Sequence, residues 1–136
     1  MKRSPEQCAA INTTGKNIIL SASAGAGKTT VLIARLMKRI LEDGVNVDEI
    51  LAMTYTDLAA TEMKKRLAKA LQEEYQKNQD ERIFRQIALL ASARISTIHS
   101  FCLSLVKDYA YVLGISQKRA TLFVMKLLLN SIKLKP

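Results

Sequence analysis

Short strand-like runs alternate with longer amphipathic stretches along this chain. Three runs, at residues 18–20, 50–55 and 94–98, have the length and the content of branched side chains that are typical of strands. The stretches between them repeat their apolar residues at helical spacing. Strands that alternate with helices predict a parallel sheet covered by helices on both faces, with ligands at the carboxyl ends of the strands. The predicted fold class is α/β.

Capping residues mark the ends of the predicted helices. In the segment Ser4-Pro5-Glu6-Gln7, Ser4 and Gln7 predict a capping box at the start of a first helix, which Gly15 ends. Gly44 predicts the end of a second helix, whose apolar positions begin at Val31. The remaining predictions are a helix from Thr56 or Asp57 to about Tyr75, a polar break at 76–81, and helices over 81–91 and 101–113.

Composition limits the class of protein and the compartment. The 136 residues suit one domain, and a hydrophobic content of 49% supports a globular core. No apolar run approaches the roughly 18 residues of a membrane span, and the N-terminus has no apolar signal region. We therefore expect a cytoplasmic protein with no membrane partner. Cys8 and Cys102 have neither disulfide nor metal-ligand spacing, and both are expected to be buried thiols.

The net charge of +9 is concentrated toward the end of the chain. Residues 109–136 carry five basic side chains and no carboxylate. A basic stretch of this kind binds nucleic acid without sequence preference, or it is simply a solvated terminal segment. Charge alone leaves both interpretations open.

The segment that follows the first apolar run has the residues of a phosphate-binding loop. Gly25 and Gly27 permit positive φ angles that turn backbone N–H groups inward, and the helix that begins near Lys28 directs its positive end at a phosphate. Lys28 would reach the β- and γ-phosphates, and the Thr29 hydroxyl would hold Mg²⁺. The usual motif begins with glycine where this chain has Ala22. The alternative is a strand-to-helix turn with an incidental lysine.

Three ordered segments give the chain a family resemblance. The loop Ser21–Thr30, the segment Met53–Arg66 and the segment Ile95–Cys102 resemble the first three motif blocks of superfamily 1 DNA helicases of the UvrD type. Within that group they most resemble the AddA (RexA) class of helicase/nuclease subunits. The resemblance covers about residues 4–115 and implies part of a P-loop NTPase (RecA-like) domain, with an incomplete parallel sheet flanked by helices. Residues 116–136 form a basic tail that departs from the family pattern.

The resemblance also implies roles for individual residues. It assigns adenine recognition to Gln7, whose other interpretation is the capping box with Ser4. ATP and Mg²⁺ are the implied cofactors, with Mg²⁺ held through Thr29. The implied nucleotide-binding set is Gln7, Ala22, Ser23, Ala24, Gly25, Ala26, Gly27, Lys28, Thr29 and Thr30.

A second set of residues is implied to contact DNA. Hydroxyl and guanidinium groups suit phosphate contacts that carry no sequence information. Family members usually have Phe in place of Tyr55 and Asn in place of Asp57; Asp57 is interpreted as a helix cap and left out of the set. The implied DNA-binding residues are Thr54, Tyr55, Thr56, Arg66, Thr97, His99 and Ser100.

Other parts of such a helicase have no counterpart in this sequence. ATP hydrolysis by this class uses an acidic motif at a strand end and arginines from a second motor domain. Asp80-Glu81 follows no predicted strand and is rejected as that motif. No complete catalytic set is therefore expected, although Lys28 and Thr29 contribute to one. The departure after residue 115 is interpreted as a frameshifted or prematurely ended reading frame, or as a short amphipathic terminal helix.

The leading hypothesis is the ATP-binding N-terminal part of an ATP-dependent DNA helicase/exonuclease subunit that acts in double-strand break repair and recombination. Its implied partners are single-stranded or duplex-end DNA and an AddB (RexB)-like subunit. The chain alone is expected to lack hydrolysis and unwinding. The alternatives are another P-loop NTPase or kinase, and a non-catalytic remnant that binds nucleotide or DNA. An unpaired edge on the strand at 18–21 also predicts low solubility.

Overall fold

The computed structural model describes residues 3–126 except 22, 24, 113, 117 and 120. The chain divides into two compact units. Unit 1 consists of Met1–Ala52 and Thr61–Ile95, and unit 2 consists of Met53–Ala60 and Ser96–Pro136. Each unit is described by itself below.

The helices and strands follow the alternation predicted from the sequence, with one exception. Two strands pair in a parallel sheet that is flanked by helices, which makes the fold a mixed α/β one. The elements are α1 (Pro5–Asn12), α2 (Lys28–Leu41), a 3-10 turn (Val47–Glu49), β1 (Leu51–Thr54), α3 (Asp57–Asn78), α4 (Glu81–Leu89), β2 (Arg94–Thr97) and α5 (Ile98–Tyr109). Residues 118–119 and 121–126 are also helical.

The strand predicted at residues 18–20 is the exception. The structure has neither helix nor strand there, and Ile19 is 96% exposed. An apolar run favours a strand only where a neighbouring strand accepts its backbone hydrogen bonds, and the described sheet contains β1 and β2 alone. The predicted three-stranded sheet is therefore wrong for the described residues, and with it the unpaired strand edge that predicted low solubility.

The predicted cysteine environment is also wrong. Cys8 and Cys102 are both exposed. Cys8 lies on α1, whose buried residues are Ala10 and Ile11, and Cys102 lies on α5, which has no buried residue. Each helix therefore buries few of its side chains or none. The apolar residues next to each cysteine in the sequence did not determine whether the cysteine faces the interior.

The core of unit 1 follows helical periodicity. On α3, Met63, Leu67 and Leu71 recur every fourth residue and are buried. Ala10 and Ile11 of α1 form a cluster with Val31 of α2, against which Ala34 packs. These contacts hold α1 against the first half of α2, and this arrangement positions the candidate site.

Polar side chains complete unit 1 where backbone groups are buried. Gln86 is 1% exposed; its Oε1 accepts from the Val47 N–H at 2.9 Å and its Nε2 donates to Asn46 Oδ1 at 2.9 Å. Arg82 Nη2 donates to the carbonyl oxygen of Ile40 at 2.6 Å, near the end of α2. Gly44 follows with a φ of +77°, in agreement with its predicted role at that helix end. Gln86 and Arg82 thus form hydrogen bonds with backbone groups that have no partner within a helix or a strand pair.

The start of α5 differs from its sequence-based boundary, whereas α4 begins at the residue that the sequence predicts. α5 begins at Ile98 rather than at residue 101, because the Thr97 side chain accepts a hydrogen bond from the Ser100 N–H and caps the helix. α4 begins after Asp80, whose carboxylate accepts from the Arg82 N–H. The Asp80-Glu81 pair thus starts a helix and follows no strand, in agreement with its rejection as a catalytic motif.

Candidate functional site

The loop before α2 depends on two glycines. Gly25 and Gly27 have φ angles of +81° and +80°, in the left-handed region that side chains with a Cβ rarely occupy. The Ala26 N–H donates to the Ser23 carbonyl oxygen at 3.3 Å, which closes a turn between them. Gly27 is the N-cap of α2. The sequence therefore folds here into a turn that leads directly into the helix, as predicted.

The N-terminus of α2 differs from those of the other α-helices in the described part. Side-chain oxygens of Ser4, Thr56, Asp80 and Thr97 accept a first-turn N–H of α1, α3, α4 and α5, respectively. Gly27 has no side chain and forms no such cap, and the first turn of α2 contains no acidic residue. The positive end of a 14-residue helix is thus left for an anion to approach.

Lys28 crosses the loop that precedes it. Its Nζ donates to the Ser23 carbonyl oxygen at 3.1 Å. Lys28, Thr29 and Thr30 are all exposed at the beginning of α2. The predicted phosphate-contacting side chains are therefore accessible on one helical turn. Ala22 and Ala24, which belong to the same predicted set, lie outside the described residues.

Gln7 connects α1 to the loop. Its Oε1 accepts from the Ser4 N–H at 3.1 Å, and the Gln7 N–H donates to Ser4 Oγ at 3.3 Å, so the predicted capping box is confirmed. The Nε2 of Gln7 donates to the Ala26 carbonyl oxygen at 3.4 Å. Gln7 therefore lies against the loop while it caps α1. Its role in adenine recognition stays a prediction.

Two cavities border the loop within unit 1. One, of about 550 Å³, is lined by Arg3, Gln7, Gly25, Ala26, Gly27, Thr30 and Val31. The other, of about 320 Å³, is lined by Gly25, Gly27, Lys28, Thr29, Thr30 and Arg66. Because both cavities include Gly25, Gly27 and Thr30, they meet at the loop. Of these two cavities, Gln7 lines only the first and Lys28 lines only the second.

Arg66 lies in a place that the sequence did not predict. It was assigned to the DNA-binding set, but it lines the cavity that contains Lys28 and Thr29. Its Nε also donates to Glu62 Oε1 at 2.8 Å, one helical turn away on α3. Arg3, which lines the neighbouring cavity, was not predicted as a site residue. Arg66 ends the second motif block and Arg3 precedes the first helix, and neither position in the sequence indicates a place beside the loop.

Arg35 is a further residue that sequence reasoning missed. Its Nη1 lies 2.6 Å from the carbonyl oxygen of Ala10, 3.3 Å from that of Ile11 and 2.8 Å from that of Thr13. This guanidinium group on α2 therefore caps the C-terminus of α1. In the sequence Arg35 is one of several basic residues on the polar side of an amphipathic helix, so nothing distinguishes it from its neighbours.

A second group of predicted residues lies in unit 2, at the ends of the strands. Thr54 Oγ1 donates to the Thr56 carbonyl oxygen at 2.9 Å, and Thr56 Oγ1 accepts from the Ala59 N–H at 3.1 Å. Tyr55 between them is 99% exposed, and His99 is exposed at the start of α5. The aromatic ring and the imidazole are thus accessible, whereas the threonine hydroxyls hold the turn into α3.

Asp57 joins this group although it was left out of the predicted set. Its Oδ1 accepts from Thr97 Oγ1 at 3.2 Å and from Ser100 Oγ at 3.3 Å. The Thr97 hydroxyl also donates to Ser100 Oγ at 2.9 Å, so its one proton is shared between Ser100 and Asp57. Asp57 was interpreted as a helix cap, but Thr56 caps α3 and Asp57 is the first residue of the helix. Its carboxylate instead connects the start of α3 to the start of α5.

Comparison with protein families identifies the class. Residues 3–133 match the UvrD/REP helicase N-terminal domain. The chain belongs to this family.

Individual proteins are also similar to this chain over most of its length. The chain is 43% identical over 113 residues to an ATP-dependent helicase/nuclease subunit from Latilactobacillus sakei, covering 80% of this chain and 13% of that protein. It is 45% identical over 118 residues to the same-named protein of Ligilactobacillus salivarius, covering 84% and 9%. For that of Bacillus velezensis the identity is 45% over 113 residues, covering 81% and 9%. The chain thus spans about a tenth of the length of these relatives.

Metal-ligating and membrane-spanning features are both missing from the described part of this UvrD/REP family member. Among the described residues, no group of three or more His, Cys, Asp or Glu side chains is arranged to hold a metal ion. No helix in the described ranges combines the length and apolar character that a membrane span needs.

Proposed function

We propose that this chain is the ATP-binding N-terminal part of an ATP-dependent DNA helicase/nuclease subunit of the UvrD class. The observation that carries the proposal is the loop at the uncapped start of α2, where Gly25 and Gly27 adopt positive φ angles beside exposed Lys28 and Thr29. The Gln7 amide lies on the same loop. The domain is then an incomplete P-loop NTPase (RecA-like) domain over residues 1–115, followed by a basic tail at 116–136.

The residues fit a nucleotide with its Mg²⁺ ion. Among the described residues, a Cβ on Gly25 would contact nothing within 4 Å, so the loop surface is open there, whereas one on Gly27 would contact Gln7 Nε2 at 3.7 Å. Lys28 would bind the β- and γ-phosphates, and the first amides of α2 would donate to their oxygens. Thr29 would supply one oxygen to Mg²⁺, which when bound neutralises phosphate charge. Ala22, Ser23, Ala24, Ala26 and Thr30 would complete the loop.

The larger cavity is proposed to hold the adenine of the nucleotide, and the smaller one its phosphates. Gln7 lies in the larger cavity, and its amide is able to pair as donor and acceptor with the adenine edge. Its Oε1 accepts one bond from Ser4 and its Nε2 donates one bond to Ala26, so one lone pair and one N–H remain for the base. Lys28 and Thr29 lie in the smaller cavity, where Arg66 adds positive charge for the phosphates.

Unit 2 supplies the proposed surface for single-stranded or duplex-end DNA. The exposed ring of Tyr55 is able to stack on a base, and His99 and Ser100 offer polar contacts to the backbone. Thr54, Thr56 and Thr97 support this surface through the hydrogen bonds described above. The parent protein would act in double-strand break repair and recombination in the cytoplasm, with an AddB-like partner subunit.

Binding without turnover is proposed for the chain by itself. Hydrolysis by this class needs an acidic residue that orients the attacking water, and arginines that stabilise charge in transfer. Neither β1 nor β2 is followed by an Asp-Glu pair. A different P-loop kinase or NTPase does not account for the family match or for the residues at 97–100. A non-catalytic nucleotide-binding module is consistent with the same geometry.

Equilibrium titration of the chain with nucleotide tests the proposal. We expect MgATP to bind at least about tenfold more tightly than AMP, because each charge-assisted phosphate contact contributes roughly 1.5–3 kcal/mol. Chelation of Mg²⁺ should weaken ATP binding, and no phosphate should be released over hours. Equal affinity for AMP and MgATP would contradict a triphosphate site. Steady phosphate release that depends on the chain would contradict binding without turnover.

A further inference from the structure

The carboxylate of Asp57 sits among groups that the proposed DNA surface uses. It accepts hydrogen bonds from Thr97 and Ser100, which belong to a segment about 40 residues further along the chain. Thr97 is 7% exposed, whereas Asp57 and Ser100 are exposed. The negative charge therefore lies at the surface while the hydroxyl donors point toward it. A polyanion that approaches this surface meets a like charge and two engaged donors.

From this arrangement we infer that Asp57 sets the DNA affinity of unit 2, which rests on the proposed function. The carboxylate is a positioning residue, because it orders the Thr97 and Ser100 hydroxyls through two hydrogen bonds. It also limits affinity, because its charge weakens phosphate binding at the same place. Asp57 thus holds the surface in shape and limits how tightly the surface binds a strand.

An amide at this position separates the two effects. Asparagine retains a carbonyl oxygen that accepts from both hydroxyls, and it removes the charge. Alanine removes the acceptor and the charge together. The Asp57→Asn variant should therefore keep the order of the cluster, whereas Asp57→Ala should lose it.

The chain offers a control that changes net charge by the same amount. The segments 53–60 and 96–136 contain two carboxylates, Asp57 and Asp108. Asp108 is an exposed residue near the end of α5, about two turns beyond the cluster. Asp108→Asn therefore reports the general effect of one fewer negative charge, without a change in the hydrogen bonds of Thr97 and Ser100.

Fluorescence anisotropy with a labelled thymidylate strand tests the inference in the full chain. At low ionic strength we expect Asp57→Asn to bind about threefold to tenfold more tightly than the unmodified chain, since one like charge near a phosphate is removed in a solvent-exposed setting. Asp108→Asn should change affinity by less than about twofold, because the charge is distant and screened. The Asp57→Asn gain should shrink as salt is added, which a purely structural role would not produce.

The other outcomes contradict the inference in distinguishable ways. If the unmodified chain binds the strand and Asp57→Asn binds no better than Asp108→Asn, Asp57 does not set affinity, and the proposed DNA surface survives. If the unmodified chain and both asparagine variants all leave the strand unbound at low salt, the DNA surface and the inference are both wrong. If Asp57→Asn binds more tightly only because it is more stable, its thermal midpoint will exceed that of the unmodified chain, and the charge argument is rejected.

Discussion

Replacement of Lys28 by alanine is expected to weaken MgATP binding by about tenfold to a hundredfold, the range that one charge-assisted hydrogen bond commonly contributes. Lys28 is exposed on the first turn of α2, and its ammonium group lies within 3.1 Å of the Ser23 carbonyl oxygen. A phosphate bound at the loop would therefore lie within reach of this group. Isothermal titration of the variant and of the unmodified chain measures the difference directly.

Lys65→Ala is the matched control for this prediction. Lys65 is an exposed lysine of α3 and was assigned no role at the loop. Its removal lowers the net charge by the same amount, so affinity should change by less than about twofold. Equal losses in Lys28→Ala and Lys65→Ala would show that net charge and not the loop attracts the nucleotide. If Lys28→Ala binds MgATP as tightly as the unmodified chain, Lys28 does not bind the phosphates.

Loss of Arg35 is expected to have the largest effect on stability. Its guanidinium group donates to three carbonyl oxygens at the end of α1, including that of Ala10 at 2.6 Å, and in Arg35→Ala these partly buried acceptors lose their donor. The free energy of unfolding should fall by about 2–3 kcal/mol, as for hydrogen bonds to charged groups whose partners stay buried. Denaturant unfolding followed by circular dichroism measures this change.

Arg85→Ala is a suitable comparison because Arg85 is exposed on α4. Its removal should alter the free energy of unfolding by less than about 0.5 kcal/mol, as for most surface substitutions. Arg35→Lys should recover only part of the loss, because the lysine side chain is one bond shorter and carries its nitrogen less far toward the three carbonyl oxygens that Nη1 reaches. A free energy of unfolding for Arg35→Ala within the range of Arg85→Ala would mean that the α1–α2 connection is held by apolar packing alone.

Structural features that depend only on residues close together in the sequence were predicted correctly. The capping box of Ser4 and Gln7 and the positive-φ turn at Gly25 and Gly27 are formed as expected, because each is determined within a few residues. The stripe on α3 likewise follows from helical periodicity. These features were enough to predict the glycine turn that leads into α2 and the order of the helices.

Features that depend on distant partners were not predictable in the same way. The apolar run at 18–20 is not a strand, because a strand exists only with a paired neighbour that the run itself does not specify. Arg35 and Asp57 act on residues about 25 and 40 positions away, and single-sequence patterns carry no record of such pairings. The exposure of Cys8 depends on which side of a short helix meets α2, which its weak amphipathicity left undetermined.

Nucleotide binding at the start of α2 is the property on which the proposed function most depends. We would record amide nuclear magnetic resonance spectra of the ¹⁵N-labelled chain with and without a non-hydrolysable MgATP analogue. The predicted result is a set of shifts centred on Gly25, Gly27, Lys28 and Thr29, with a smaller shift of the Gln7 side-chain amide. Shifts confined to residues outside the loop and α1, or an unchanged spectrum at saturating ligand, would contradict nucleotide binding at this loop.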